Sequence, residues 1–253
     1  MRERSIIFLI SQPRSGSTLL QKLLGAHSNV YTRSEPWIML HPSYTLKQNG
    51  IYAEYKVRIE REAFEGFLSG LPDGKRKYLE LLRNMYLDLY ACYLEDTSYT
   101  YFLDKTPRYH LVVNELLQIF PAAKYILLIR NPLAVLGSII NSWIRESWFL
   151  LAEYKHDLLS AISTYIQILD DEESPFLVTR YEEILKDQEQ ALKKLFNYLS
   201  IEFENCSEKY FLNDEKWTLG DQGNVYEKET IDSSTMDKWQ EQLINPQYWR
   251  VMY

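Results

Sequence analysis

At 253 residues, 46% of them apolar and 25% charged, the chain is long enough for one α/β domain, 1–253, with a large buried core. Its formal charge of −7 argues against nonspecific nucleic-acid binding or attraction to anionic membranes, so any cluster of cations is a local feature. No segment approaches the ~18–20 apolar residues that cross a bilayer, and the two cysteines, Cys92 and Cys206, lack metal or redox spacing. Two thiols in a reducing compartment are the simplest expectation.

The first element is a strand over residues 5–10, followed by the polar turn Gln12-Pro13-Arg14-Ser15-Gly16-Ser17-Thr18 and a helix over 17–25. The apolar run behind Met1–Arg4 flows straight into this turn, so it reads as a strand and not as a cleaved leader. With no membrane anchor in view, a cytoplasmic location is expected. Free amides and the positive end of the helix dipole make a strand–turn–helix of this kind an anion site. Laid on G-x-x-x-x-G-K-[ST], the stretch from Ser11 to Thr18 keeps Gly16 and Thr18 but has Ser11 for the first glycine and Ser17 for the lysine. The cation stands inside the loop, as Arg14. A triphosphate requires that lysine and Mg²⁺ on its β/γ oxygens, so this loop fits a smaller 5′-anion carrying one transferable group.

A short strand at 29–31 leads to the turn Thr32-Arg33-Ser34-Glu35-Pro36-Trp37 and a helix over 35–40. Residues 36–98 form a helical insertion, broken at Gly70–Gly74, whose second part from Tyr78 to Tyr90 has helical period and an apolar stripe that reads as core. A strand at 99–103 then delivers Lys105 to the sheet edge. The run Lys124–Ile129 is a fully buried parallel strand ending at Arg130, with Asn131 as N-cap and Pro132 at the first position of a helix over 132–143 that carries Ser138. A helix over 148–170, a strand at 175–180 ending before Tyr181, and a helix over 187–199 complete the pattern. Strands alternating with helices imply a mainly parallel central sheet, flanked by helices, of the P-loop NTPase-like kind.

Three of these segments together resemble the sulfotransferases that use 3′-phosphoadenosine-5′-phosphosulfate (PAPS). Pro13-Arg14-Ser15-Gly16-Ser17-Thr18 is similar to their 5′-phosphosulfate loop, in the form found in Golgi-type and many bacterial members. Arg130 and Ser138 stand eight positions apart, as do the Arg and Ser that grip the 3′-phosphate in that family. Lys105 matches the lysine that stabilises charge on the transferring group. The cytosolic branch places a catalytic histidine two residues beyond this lysine; here that residue is Pro107, which takes no proton. Tyrosylprotein and several glycan members use a glutamate instead, and Glu35, twenty-one residues after Arg14, holds the matching place. Glu35 also suits a helix start, and His27, His41 and His110 are competing bases; His156 reads as solvated. Tyr181, in a segment similar to the family's Arg-Tyr-Glu-Glu-Leu, implies a contact near adenine, while Asn224 and Lys238 fall in a segment that resembles the one closing over the cofactor.

The resemblance implies a PAPS-dependent sulfotransferase with Glu35, Lys105 and Arg14 as catalytic groups and Arg14, Ser15, Gly16, Ser17, Thr18, Arg130, Ser138 and Tyr181 as cofactor contacts. The product would be 3′-phosphoadenosine 5′-phosphate, with no metal. The insertion would form the acceptor site, where Trp37, Trp143 and Trp148 could line an apolar pocket. The acceptor stays open between a phenol or other small molecule, a lipid or sterol alcohol, a glycan hydroxyl and a peptide tyrosine. Two other readings compete: a P-loop nucleoside or small-molecule kinase, and a protein that binds the bisphosphate without catalysis.

Overall fold

The computed structural model describes residues 1–144, 148–206, 236–237 and 239–240, the side chains of 148 and 149 excepted. Its elements are β1 (Ile6–Ser11), α1 (Ser17–Gly25), β2 (Val30–Thr32), α2 (Leu40–Tyr44), α3 (Val57–Ser69), α4 (Gly74–Ala91), β3 (Tyr101–Lys105), α5 (Val113–Ile119), β4 (Lys124–Ile129), α6 (Pro132–Ile139), α7 (Ala161–Asp170), β5 (Phe176–Arg180), α8 (Tyr181–Lys186) and α9 (Gln188–Leu199).

The five strands form one parallel sheet in the order β2-β3-β1-β4-β5. A central parallel strand is covered on both faces, which is why β1 is apolar at consecutive positions. Ile6, Phe8 and Ile10 point into one core with Phe102, Tyr125 and Leu127, against α5 and α7. Ile7 and Leu9 point into the other with Leu103, Ile126 and Leu128, against α1 and α9. A third, smaller cluster joins Val135, Ile139, Ile140 and Ile144. Among the described residues no helix is long and apolar enough to cross a membrane.

Strand order reverses at β1, which pairs with β3 on one side and β4 on the other. The loops leaving the carboxyl ends of these three strands therefore converge, the arrangement in which open α/β sheets bind ligands. The Arg14 loop is thereby placed between Lys105 and Arg130.

Several boundaries differ from expectation. No helix forms over 35–40; the chain from Arg33 to Ile38 stays irregular and α2 begins at Leu40, because Trp37 takes a left-handed backbone with φ 58°. β3 runs on to Lys105, so the lysine belongs to the strand and is held in its ladder opposite Leu9. The expected helix over 148–170 is a 3-10 segment (Trp148–Tyr154), a π segment (His156–Ser160) and α7 in succession. α6 likewise passes into a π turn at Ile140–Ile144. The stripe on α4 is core in part only: Leu79, Leu82 and Tyr86 pack inward and Tyr90 is buried, whereas Leu81, Met85 and Leu89 face solvent. Helical period reports a stripe without reporting how many of its residues find a neighbour.

Candidate active site

The loop after β1 turns on two left-handed residues, Arg14 (φ 66°) and Gly16 (φ 86°). The second must be glycine on two grounds: the backbone sign disfavours a side chain, and a Cβ there would overlap the ring of Tyr181. Gly16 then caps α1, so Ser17 and Thr18 open the helix with their amides facing the turn. Ser15 is fully buried, and its Oγ has no hydrogen-bond partner among the described residues. A buried hydroxyl of that kind is costly unless a ligand or water completes it, and in an amide-lined turn it fits an anion.

Arg14 Nε donates to Ser138 Oγ at 3.0 Å, and its guanidinium lies 5.9 Å from the centre of the Trp143 ring. Arg130 donates from a terminal nitrogen to the Arg14 carbonyl at 2.9 Å and stacks 4.4 Å from the centre of the Tyr181 ring. Burial pushes the Arg130 guanidinium below its ordinary pKa; Tyr181 and Glu182 oppose the shift and the nearby charge of Arg14 adds to it. Two guanidiniums drawn this close, one of them partly desolvated, form a pocket for a dianion. The loop arginine thus joins the Arg130/Ser138 pair instead of standing apart from it. Tyr181 lies against Gly16 and Arg130, a position that braces the pocket.

Ser138 is presented by α6, whose start follows the reading from sequence. Asn131 Oδ1 accepts from the Leu133 amide at 2.9 Å, and Pro132 takes the first helical position.

Lys105 and Glu35 meet across the loop mouth. Lys105 Nζ donates to Glu35 Oε1 at 2.5 Å and to Thr18 Oγ1 at 3.5 Å; the lysine side chain is fully buried and the glutamate 8% exposed. The turn holding Glu35 is anchored by Gln21, whose amide donates to Thr32 Oγ1 and to the Arg33 carbonyl, both at 2.8 Å. Thr32 Oγ1 in turn donates to the Leu103 carbonyl at 2.8 Å, tying the turn to β3. A buried ion pair with its remaining valences hydrogen-bonded is a specific orientation device more than a source of stability.

Of the groups that support this pair, the sequence singled out Trp37 alone, and only as a wall of an apolar pocket. The Trp37 indole donates to Glu35 Oε2 at 3.2 Å, and the Trp37 amide donates to Thr106 Oγ1 at 3.2 Å. Arg108 stacks 5.8 Å from the centre of the Trp37 ring and forms an ion pair with buried Asp157 at 2.5 Å. The Asp157 carbonyl accepts from Gln12 Nε2 at 2.8 Å, so the chain of contacts returns to the anion loop. Arg108 stands three residues after Lys105, which was a signal of proximity; nothing local linked it to Asp157, 49 residues away.

Beneath Lys105, Asp104 is fully buried and accepts from Tyr90 Oη at 2.6 Å, Tyr109 Oη at 2.8 Å and Thr106 Oγ1 at 3.4 Å. Burial raises its carboxyl to about 6, against those hydrogen bonds and the Lys105 charge, which pull it down. Through Tyr90 this cluster fastens α4 to β3.

Of the candidate histidines, His27 is buried against Phe196 and within 2.9 Å of the Glu202 carbonyl, a structural position. His110 is buried with Nδ1 against the Pro107 carbonyl at 2.9 Å, and burial lowers its pKa. His156 Nδ1 lies 3.1 Å from Ser160 Oγ and is exposed, and His41 is exposed on α2. Asn224, Lys238 and the side chain of Trp148 lie outside the described residues.

Comparisons with known proteins identify the family and the fold. A family model described as Sulfotransferase family matches residues 6–205. The nodulation protein NoeE of Sinorhizobium fredii is 32% identical over 149 residues, 54% of this chain and 32% of that protein. The protein-tyrosine sulfotransferase of Drosophila melanogaster is 24% identical over 208 residues, 79% of this chain and 39% of that protein. The chain therefore matches well under two thirds of the length of either relative. Among solved structures, the sulfotransferase domain from the curacin biosynthetic pathway superposes with a TM-score of 0.62 at 23% identity, covering 99% of this chain and 97% of that one. Mouse sulfotransferase SULT7A1, complexed with PAP, gives a TM-score of 0.53 at 17% identity, covering 100% and 82%. These two likenesses speak to the fold. With β1, the anion loop, Lys105, Arg130 and β5 all inside the matched span, the chain belongs to the sulfotransferase family.

Proposed function

We propose that the protein transfers the sulfonate of PAPS to a hydroxyl group of its acceptor. The observation that carries this reading is the Lys105–Glu35 pair at 2.5 Å, set at the mouth of an anion loop whose lysine position is Ser17. A kinase loop has its cation at that position; here the cations come from Arg14, Lys105 and Arg130.

Bound in this site, PAPS supplies an activated sulfonate. The amides of Ser15 to Thr18 and the buried Ser15 hydroxyl hold its 5′ side, and Arg130, Ser138 and Arg14 hold its 3′-phosphate. Glu35 takes the proton of the acceptor hydroxyl as that oxygen bonds to sulfur. The bond from sulfur to the bridging oxygen breaks, and Lys105 meets the electron pair left on the departing phosphate. Trp37 keeps one Glu35 oxygen fixed by its indole hydrogen bond while the other faces Lys105. The acceptor remains any hydroxylated molecule, from a phenol, a lipid alcohol or a glycan to a peptide tyrosine.

Calorimetry with 3′-phosphoadenosine 5′-phosphate in the presence of EDTA tests the donor half. Metal-independent binding that Arg130→Ala abolishes supports the reading; binding of Mg²⁺-ATP with none of the bisphosphate overturns it. Turnover of radiolabelled PAPS against hydroxylated acceptors of graded size tests the transfer itself.

A further inference from the structure

Trp37 is held in a conformation that apolar packing does not explain. Its φ of 58° lies in the left-handed region, where a bulky side chain strains the backbone. Among the described residues it belongs to none of the three apolar clusters, so no core fixes its ring. The restraint comes from the four consecutive residues Lys105-Thr106-Pro107-Arg108. Thr106 Oγ1 accepts from the Trp37 amide at 3.2 Å, and the Arg108 guanidinium lies over the ring, 5.8 Å from its centre. Between these two grips the indole N–H is aimed at Glu35 Oε2, 3.2 Å away. Lys105, from the same stretch, donates to Oε1 at 2.5 Å. One short segment thus addresses both oxygens of the carboxylate, the first directly and the second through Trp37.

Arg108 is itself fixed, as a solvated cation is not. Its Nε and one terminal nitrogen reach the two Asp157 oxygens at 2.5 and 2.7 Å, a fork that a lysine cannot reproduce. The Asp157 side chain is buried, and its carbonyl accepts from Gln12 Nε2 at 2.8 Å. The turn that carries Arg108 is closed on both sides: the Tyr109 amide donates to the Thr106 carbonyl at 3.1 Å, and the Leu111 amide to the Arg108 carbonyl at 3.0 Å. A buried carboxylate paired with an arginine adds little to stability over an apolar pair of the same volume. What it supplies here is a planar cation locked against one face of an aromatic ring.

We propose that Arg108 is a positioning residue for the base: by holding the Trp37 ring it fixes the rotation of the Glu35 carboxylate. The proposal rests on Glu35 acting as the base of the transfer reaction and assigns Arg108 no contact with donor or acceptor. Without the guanidinium the indole is free to swing on its strained backbone. Oε2 then loses its donor, and the carboxylate turns about its last bond with only Lys105 to orient it.

The variant that reads this is Arg108→Met combined with Asp157→Asn, because removing the arginine alone strands a buried carboxylate. Nuclear magnetic resonance of isotope-labelled tryptophan gives the first readout, with the Trp37 indole N–H assigned by its disappearance in Trp37→Phe. In the native chain this N–H should be protected from solvent exchange, and Glu35→Gln should shift its resonance. In the paired variant protection should fall by at least ~10-fold and the response to Glu35→Gln should vanish. Turnover of radiolabelled PAPS gives the second readout. The paired variant should lose about 3–10-fold in kcat with KM for PAPS unchanged, and Arg108→Lys alone, which keeps the charge but not the fork, should fall between. The loss should not add to that of Trp37→Phe, so a chain carrying all three substitutions should be no slower than Trp37→Phe. A protected, Glu35-responsive indole in the paired variant overturns the proposal, as do losses that multiply in the combined chain. Loss of 3′-phosphoadenosine 5′-phosphate binding together with the indole signal also overturns it, by making Arg108 a support of the fold. The indole readout uses no substrate, so it decides this proposal even if the native chain fails to bind the bisphosphate, which would overturn the sulfonate-transfer reading instead.

Discussion

Arg14, Arg130 and Ser138 reach one another from loops that each leave the carboxyl end of a neighbouring strand or the helix just beyond it. Glu35, Trp37, Arg108 and Asp157 are gathered from an irregular turn, the segment after β3 and a π segment between two helices. The first group is positioned by the regular geometry of a parallel sheet, which places successive loops side by side whatever their sequence. The second is positioned by side chains that hold one another, from Gln12 through Asp157, Arg108 and Trp37 to Glu35. A pocket of the first kind is shared readily by proteins with one fold. One of the second kind is free to vary between them, because each of its supports is a single replaceable contact.

The strongest way to probe this contrast is at Lys105, where the two halves meet. Lys105→Ala should lower turnover by ~10²–10³-fold, as removal of one preorganised electrostatic group does, with little change in bisphosphate affinity. Rapid-quench turnover measured beside calorimetry checks it; equal losses in both would place the lysine with the donor pocket alone.

Asp104 tests how the second group is fastened. Its carboxyl is raised from 3.8 unfolded to about 6 folded, so the folded state holds the proton more tightly. The contribution to stability is then fully present below pH 3.8 and lost as pH rises through about 6. Relative to Asp104→Asn, the native chain should gain stability between pH 7 and pH 4, by roughly 2 kcal/mol at ~1.4 kcal/mol per unit. Urea unfolding of both proteins across that window measures the difference, and a flat difference would mean that folding does not raise this carboxyl.

Gly16→Ala probes the sheet-built half. A side chain there is forced into a left-handed backbone and into the Tyr181 ring, so a loss of about 1–3 kcal/mol is expected in denaturant unfolding, together with weaker bisphosphate binding. If Tyr181→Ala added to Gly16→Ala restored affinity, the ring contact rather than the backbone would be the cause. The smallest effect belongs to Trp37→Phe, which deletes the indole donor to Glu35 and should reduce turnover by about 3–10-fold, as loss of one hydrogen bond does. A shifted pH–rate profile in this variant would distinguish positioning of Glu35 from simple packing.

The elements that were legible in the chain were those written in consecutive residues. The apolar run of β4 followed by Asn131 and Pro132 was enough to locate a buried strand, its end and the cap of α6. The Arg14–Thr18 turn announced itself by its glycine and hydroxyls, Lys105 by its place at the end of a strand, and Arg130 and Glu35 by theirs after one. The pairing of Lys105 with Glu35, 70 residues apart, was anticipated only as a shared site.

Local sequence determined where strands lie, where the anion turn is and which cations are delivered to the sheet edge, because strand period, capping and turn chemistry act over a few residues. Tertiary structure alone decided that Arg14 leans on Ser138, that Tyr181 braces Arg130, that Asp157 closes on Arg108 and that half of the α4 stripe is left outside the core. Each of these depends on which distant segments become neighbours, and a side chain's period along its own helix or strand carries no record of that.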